Sequence, residues 1–115
     1  MMTKTITIRP ATGHWVIRAG GAVIGESLNA LELIEDDSPP IIYFPREDVE
    51  MAFLDKTDSA ADCPQRGAAT FYSIIAKSGA IPDAAWSYEA PAGDTAPIAG
   101  HVAFHVRDGI TVEQL

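Results

Sequence analysis

Glycine and proline interrupt this chain so often that no long helix can form. Nine glycines and eight prolines lie among 115 residues, and the apolar residues between them come in brief runs. Short apolar or alternating runs bounded by turn residues predict many short strands. The expected fold class is therefore mainly β: one compact antiparallel sheet structure, barrel-like or a sandwich, with one or two short helices. Residues 1–115 are read as a single domain, long enough to bury one core without disulfides or metal. An apolar fraction of 47% suits a folded globule rather than a disordered chain.

The individual runs read as follows. Residues 3–9 are rich in β-branched types and predict a strand that could serve as an edge. Residues 14–19 and 22–27 predict a hairpin around Gly20-Gly21, since glycine accepts positive φ. Trp15 and Ile17 are expected on one face of the first strand. Residues 28–34 fit either a helical turn or a strand. Ile41–Phe44 is a short, wholly apolar strand. Pro45-Arg46-Glu47-Asp48 is the best helix start in the chain, with proline and carboxylates suited to a first turn. That helix must be short, because residues 54–57 read as strand again. Residues 58–66 are expected as a polar loop and 67–77 as the longest strand, turned by Ser78-Gly79. Residues 84–89 predict a strand with Trp86 and Tyr88 on one face. Residues 91–100 read as loop with a turn of helix. Residues 101–106 and 110–113 are expected to close the fold around an Asp108-Gly109 turn.

Sixteen acidic residues against eight basic ones leave a formal charge of -8. Such a surface repels a phosphate backbone and disfavours nucleic acid as a partner. No run approaches the roughly 20 apolar residues that span a bilayer. The first residues show no apolar segment followed by a small-residue cleavage site. The single cysteine, Cys63, excludes an intrachain disulfide and any zinc site built from several cysteines. These observations together predict a soluble, cytoplasmic protein with no metal and no other cofactor. Glycine-rich phosphate loops, Gly-x-Ser-x-Gly elbows, His-Glu-x-x-His and Cys-x-x-Cys are all missing. Glu47 and Asp48 are adjacent carboxylates, and adjacent helical positions do not face each other.

Three groups of residues can carry chemistry. Cys63 sits three residues before Arg66, which would favour a thiolate nucleophile or redox centre. The neighbouring Asp62 opposes it, and a lone cysteine also packs well as a small apolar group. His101 and His105 lie four residues apart on one predicted strand, about 13 Å between backbones, too far to share a metal without a bend. Tyr43, Phe71, Tyr72, Trp86 and Tyr88 form a dense aromatic set that suits either a core or the wall of a ligand pocket. Without a basic patch they do not suggest a platform for stacking bases.

Four segments, taken in order, carry a resemblance. These are Tyr43-Phe44-Pro45-Arg46-Glu47-Asp48-Val49; Cys63-Pro64 through Gly67 to Phe71-Tyr72-Ser73; Asp83-Ala84-Ala85-Trp86-Ser87-Tyr88; and Gly100-His101-Val102-Ala103-Phe104. From the Gly20-Gly21 hairpin onward the chain resembles the family known as domain of unknown function 427. The resemblance implies a compact, mainly antiparallel β-fold of the tent-like kind found in Mss4-like zinc proteins and methionine sulfoxide reductase B. Those proteins hold zinc with cysteine pairs, which this chain lacks. It also brings a nucleotidyltransferase-like label, although neither the glycine-serine motif nor the metal-binding carboxylate pair of such enzymes is visible. The positions typical of the family are Tyr43, Pro45, Asp48, Cys63, Gly67, Tyr72, Trp86, Tyr88 and Phe104. After the cysteine the family has a bulky residue and a lysine, where this chain has Gln65 and Arg66.

The expectation is a binding domain for a small molecule or a peptide. Its aromatic-lined pocket lies near Cys63 and Trp86 and uses Tyr43, Arg66, Tyr72, Trp86, Tyr88 and His101, with Arg66 or His101 fixing an anionic group. One alternative is a thiol-dependent enzyme or redox protein in which Cys63 is catalytic. The other is a structural domain, monomeric or a homodimer joined through an edge strand such as 3–9.

Overall fold

A computed structural model describes residues 5–35, 38–63, 66–77, 79–107 and 109–115. Ten strands run β1 (Ile6–Pro10), β2 (Trp15–Ala19), β3 (Ala22–Ser27), β4 (Leu31–Glu35), β5 (Ile41–Phe44), β6 (Leu54–Cys63), β7 (Gly67–Ala76), β8 (Gly79–Tyr88), β9 (Val102–Phe104) and β10 (Ile110–Gln114). They build two antiparallel sheets, one of seven strands in the order β1-β4-β5-β9-β8-β7-β6 and one of three in the order β10-β2-β3. Among the described residues no helix is long and apolar enough to cross a membrane.

The expected hairpin at Gly20-Gly21 is present, with both φ angles positive (58° and 82°), as a tight primed turn requires. The ambiguous segment 28–34 resolves as β4. Residues 45–53 form two 3-10 turns, Arg46–Asp48 and Met51–Phe53, in place of one short helix. Val49 between them is extended, at φ -110°, so no continuous apolar stripe develops. It bridges Gly25 of β3, where any side chain would meet the Asp48 carbonyl at 2.9 Å.

Two expectations are corrected. Residues 58–63 are not loop; they continue β6, the outer strand of the large sheet. An outer strand exposed to water tolerates Asp58, Ser59 and Asp62 without loss, so polarity there does not signal a loop. The last two strands do not form a hairpin either. β9 lies between β5 and β8 in the large sheet, whereas β10 pairs with β2 in the small one. Asp108 and residues 3–4, together with Pro64, Gln65 and Ser78, lie outside the described residues.

Alternation along the central strands explains why β5 is wholly apolar: it is covered on both faces. Ile42, Phe44, Val102 and Phe104 point into a core shared with Ile17, Ile24 and Ile110 of the small sheet. Phe44 and Phe104 meet there edge to face, with centroids 6.0 Å apart. Tyr43 and Ala103 point to the opposite face, where they pack with Leu33 and Ile98. Ile98 ends the 3-10 segment Gly93–Ile98, which lies against β1. Arg46 fastens this arrangement by donating to Ser87 Oγ (3.0 Å), Glu89 Oε2 (2.6 Å) and the Gly100 carbonyl (3.2 Å).

Asp83 locks an irregularity that crosses three strands. β6 slips register between Lys56 and Ala60, and β7 slips between Tyr72 and Ile74 against β8. At the centre, Asp83 adopts φ 50°, a left-handed conformation that aspartate tolerates better than most residues. Its carboxylate accepts from Thr57 Oγ1 (2.7 Å) and Ser59 Oγ (2.6 Å), reaching across β7 to β6. Those two hydroxyls hold the Asp83 carboxyl below its ordinary value. Because the folded-state value is depressed, the stabilisation is complete above the ordinary carboxylate range and disappears as pH falls through the lowered value. Asp83→Ala is expected to lower the melting temperature more than Asp83→Asn, which keeps the left-handed preference and one acceptor. Both variants should lose the steepened fall in stability below about pH 4, as melting curves across the acid range would show.

Candidate functional site

The strand registers set one row of residues across the face turned away from the small sheet. Phe71 on β7 opposes Trp86 on β8, Trp86 opposes Ala103 on β9, and Ala103 opposes Tyr43 on β5. The small Ala103 side chain leaves a gap between its two large neighbours. Trp86 Nε1 reaches across it to donate to Tyr43 Oη at 3.2 Å. The two rings stand nearly perpendicular, 89° apart with centroids at 6.4 Å, a favoured aromatic geometry.

Arg66 closes this face from the side. It precedes β7, yet its Nη2 donates to Glu35 Oε1 at the end of β4, at 2.6 Å. A flat sheet would hold those strands four steps, roughly 19 Å, apart. The pairing therefore requires the sheet to curl and the start of β7 to arch over it. Tyr43, Arg66, Phe71, Trp86 and Tyr88, with Ile41 and His105, enclose a cavity of about 220 Å³.

A larger cavity of about 690 Å³ adjoins it where the two sheets part. Trp15 and Val112 of the small sheet face Ile42 and Phe104 of the large one across it, and Pro39-Pro40 forms a rim. Both tryptophans of the chain thus line it. Ile41, Trp86 and His105 line both cavities, so the two adjoin there, as two lobes with the Trp86–His105 pair between them. The His105 ring lies on Trp86 with centroids 4.5 Å apart and planes tilted by 45°.

His105 owes its place to the Asp83 irregularity, since its backbone N–H donates to the Ala84 carbonyl at 2.8 Å. Partial burial of the ring lowers its pKa below the usual 6.5; nearby Arg107 adds to this and Asp83 opposes it. The imidazole is therefore neutral at neutral pH, with one ring nitrogen donating and the other accepting. In the folded state it takes up its proton at lower pH than in the unfolded chain, so its contribution to stability declines as pH falls below about 6.5.

The sequence-derived candidates divide cleanly. Tyr43, Arg66, Trp86 and Tyr88 come together in the smaller lobe. Tyr72 does not: it opposes Ala85 and is buried in the core between the sheets. His101 sits in the turn after Ile98, with Nδ1 3.2 Å from the Ala99 carbonyl, and lines neither lobe. The backbone of Cys63 ends β6 opposite Gly67, and its side chain lies outside the described residues. Trp15 and His105 line the cavities without being among the sequence-derived candidates. The strand between the two histidines is only three residues long, so His105 leaves the sheet where Trp86 can receive it. Among the described residues, no cluster of three or more His, Cys, Asp or Glu side chains could hold a metal ion.

The model of the family described as a domain of unknown function (DUF427) matches residues 7–114, nearly the whole chain. The chain belongs to the DUF427 family. No curated protein matches it. Several of the positions that the resemblance implies as typical take distinct places on this structure. Asp48 accepts from Ser27 Oγ at 2.6 Å, Tyr72 is packed between the sheets, and Phe104 is packed there while also lining the larger cavity. Tyr43, Trp86 and Tyr88 build the groove of the DUF427 domain.

Proposed function

We propose that this DUF427 domain binds a small molecule in the groove divided by Trp86 and His105. One observation carries the reading: two adjoining concave lobes, walled mostly by aromatic and aliphatic side chains, share a tryptophan–histidine pair. Pockets of several hundred Å³ with an apolar wall and a few converging polar groups are the usual form of ligand sites. The polar groups are the His105 ring nitrogens and Tyr43 Oη, all held in place by neighbours. A small molecule fits better than a peptide, because the smaller lobe is bounded by rings and by the Arg66–Glu35 pair. The same reading places the protein in the cytoplasm as a soluble domain, which a single cysteine and a charge of -8 support.

Titration with a metabolite library, read by tryptophan fluorescence and thermal shift, tests the proposal. A ligand at about 100 times its dissociation constant is expected to raise stability by about 2.7 kcal/mol and to change the emission of Trp86 in a Trp15→Phe protein. A flat response in both measurements for every compound would contradict it. Binding of extended peptides alone would move the reading to a peptide site.

A further inference from the structure

We infer that the ligand of this groove is an uncharged molecule made of a flat ring and a bulkier apolar portion. This inference rests on the binding function proposed above and narrows it to a chemical class. Shape supplies the division into two parts. The smaller lobe, about 220 Å³, is walled by Tyr43, Phe71, Trp86 and Tyr88, whose faces and edges suit a planar ring. The larger lobe, about 690 Å³, is walled by Ile42, Phe104, Val106 and Val112 beside Trp15, which suits an aliphatic or branched portion. Both are lined by Ile41, Trp86 and His105, and the inferred ligand spans the two past this shared edge.

Charge supplies the rest. Each charged residue lining the groove is already matched. In the smaller lobe Arg66 donates to Glu35 at 2.6 Å, with both side chains mostly shielded from water. In the larger lobe Glu32 accepts from Arg9 Nε at 2.6 Å. Arg66 meets a ligand carboxylate with its charge already balanced by Glu35, and Glu32 meets an ammonium group with its charge already balanced by Arg9. A charged ligand would therefore carry an uncompensated charge into a mostly apolar groove, which is unfavourable. An uncharged hydroxyl or amide meets no such obstacle, because neutral His105 offers one donor or one acceptor.

Four probes of related shape separate the possibilities: benzyl alcohol, 4-phenylbutanol, 4-phenylbutyrate and 4-phenylbutylamine. Binding is followed at pH 7.5 through the indole N–H resonance of Trp86. 4-Phenylbutanol is expected to bind about tenfold more tightly than benzyl alcohol, since three further methylenes enter the larger lobe. It should exceed the acid and the amine by a similar factor. In Glu35→Gln, which removes the carboxylate facing Arg66, the acid should gain severalfold relative to the alcohol. Equal or tighter binding of the acid or the amine to the unaltered protein would overturn the inference and leave the groove standing as a site. No shift at Trp86 with any of the four would also overturn it; the binding function itself fails only if the metabolite library is silent as well.

Discussion

Trp86→Ala is expected to weaken binding of any groove ligand by at least about 30-fold, the loss that marks a central aromatic anchor. Trp86 forms a wall of both lobes, supports the His105 ring and donates to Tyr43 Oη. Removing it merges the lobes and frees both polar groups at once. Trp86→Phe keeps a ring but not the donor, and its loss should be intermediate. Tyr72→Phe is the control: Tyr72 is the same kind of residue on the neighbouring strand, but it faces the other side of the sheet. Binding should be unchanged in that variant. Isothermal titration of the three proteins with one ligand decides the matter, and equal loss in Tyr72→Phe would contradict the assignment of faces.

Phe44→Ala is expected to cost about 3–5 kcal/mol, the usual range for emptying a buried phenylalanine site. Phe44 is fully buried, and its edge-to-face partner Phe104 would be left facing a cavity. Native domains hold about 5–15 kcal/mol in all, so the midpoint of urea unfolding should fall by more than about 1 M. The folded fraction should still bind ligand, with a loss smaller than that of Trp86→Ala, since Phe44 itself lines neither cavity although its partner Phe104 lines the larger one. Phe44 faces the inter-sheet core, whereas its neighbour Tyr43 faces the groove. Neighbouring positions of one strand thus separate stability from binding.

Much of the fold is legible from turns. Gly20-Gly21 forces positive φ and so declares the β2–β3 hairpin, and the four apolar residues of β5 announce a strand covered on both sides. What strand signals omit is which strands are neighbours. The final segments read as a hairpin because Asp108-Gly109 is a good turn sequence, yet the chain passes there from one sheet to the other. The second half of β6, from Asp58, escapes notice because an outer strand has no need of apolar alternation. The site was half legible for the same reason. Aromatic density points to Tyr43, Trp86 and Tyr88, which share one cavity, but Phe71 and Tyr72 are adjacent, and only the pairing of Phe71 with Trp86 decides which enters the groove. His101 and His105 are likewise separated by where β9 stops, a tertiary fact invisible in their spacing. Trp15 reaches the groove from the other sheet, which no local pattern reveals.

The most direct measurement is a ¹H–¹⁵N map of the protein during titration with 4-phenylbutanol. The expected result is saturable shifts concentrated at the Trp86 indole N–H and the backbone amides of Ile41, His105 and Val106, with smaller changes at the Trp15 indole. Shifts confined to other surfaces, or no saturable shift at the Trp86 indole with this probe or any library compound, would contradict the assignment of this groove as the ligand site.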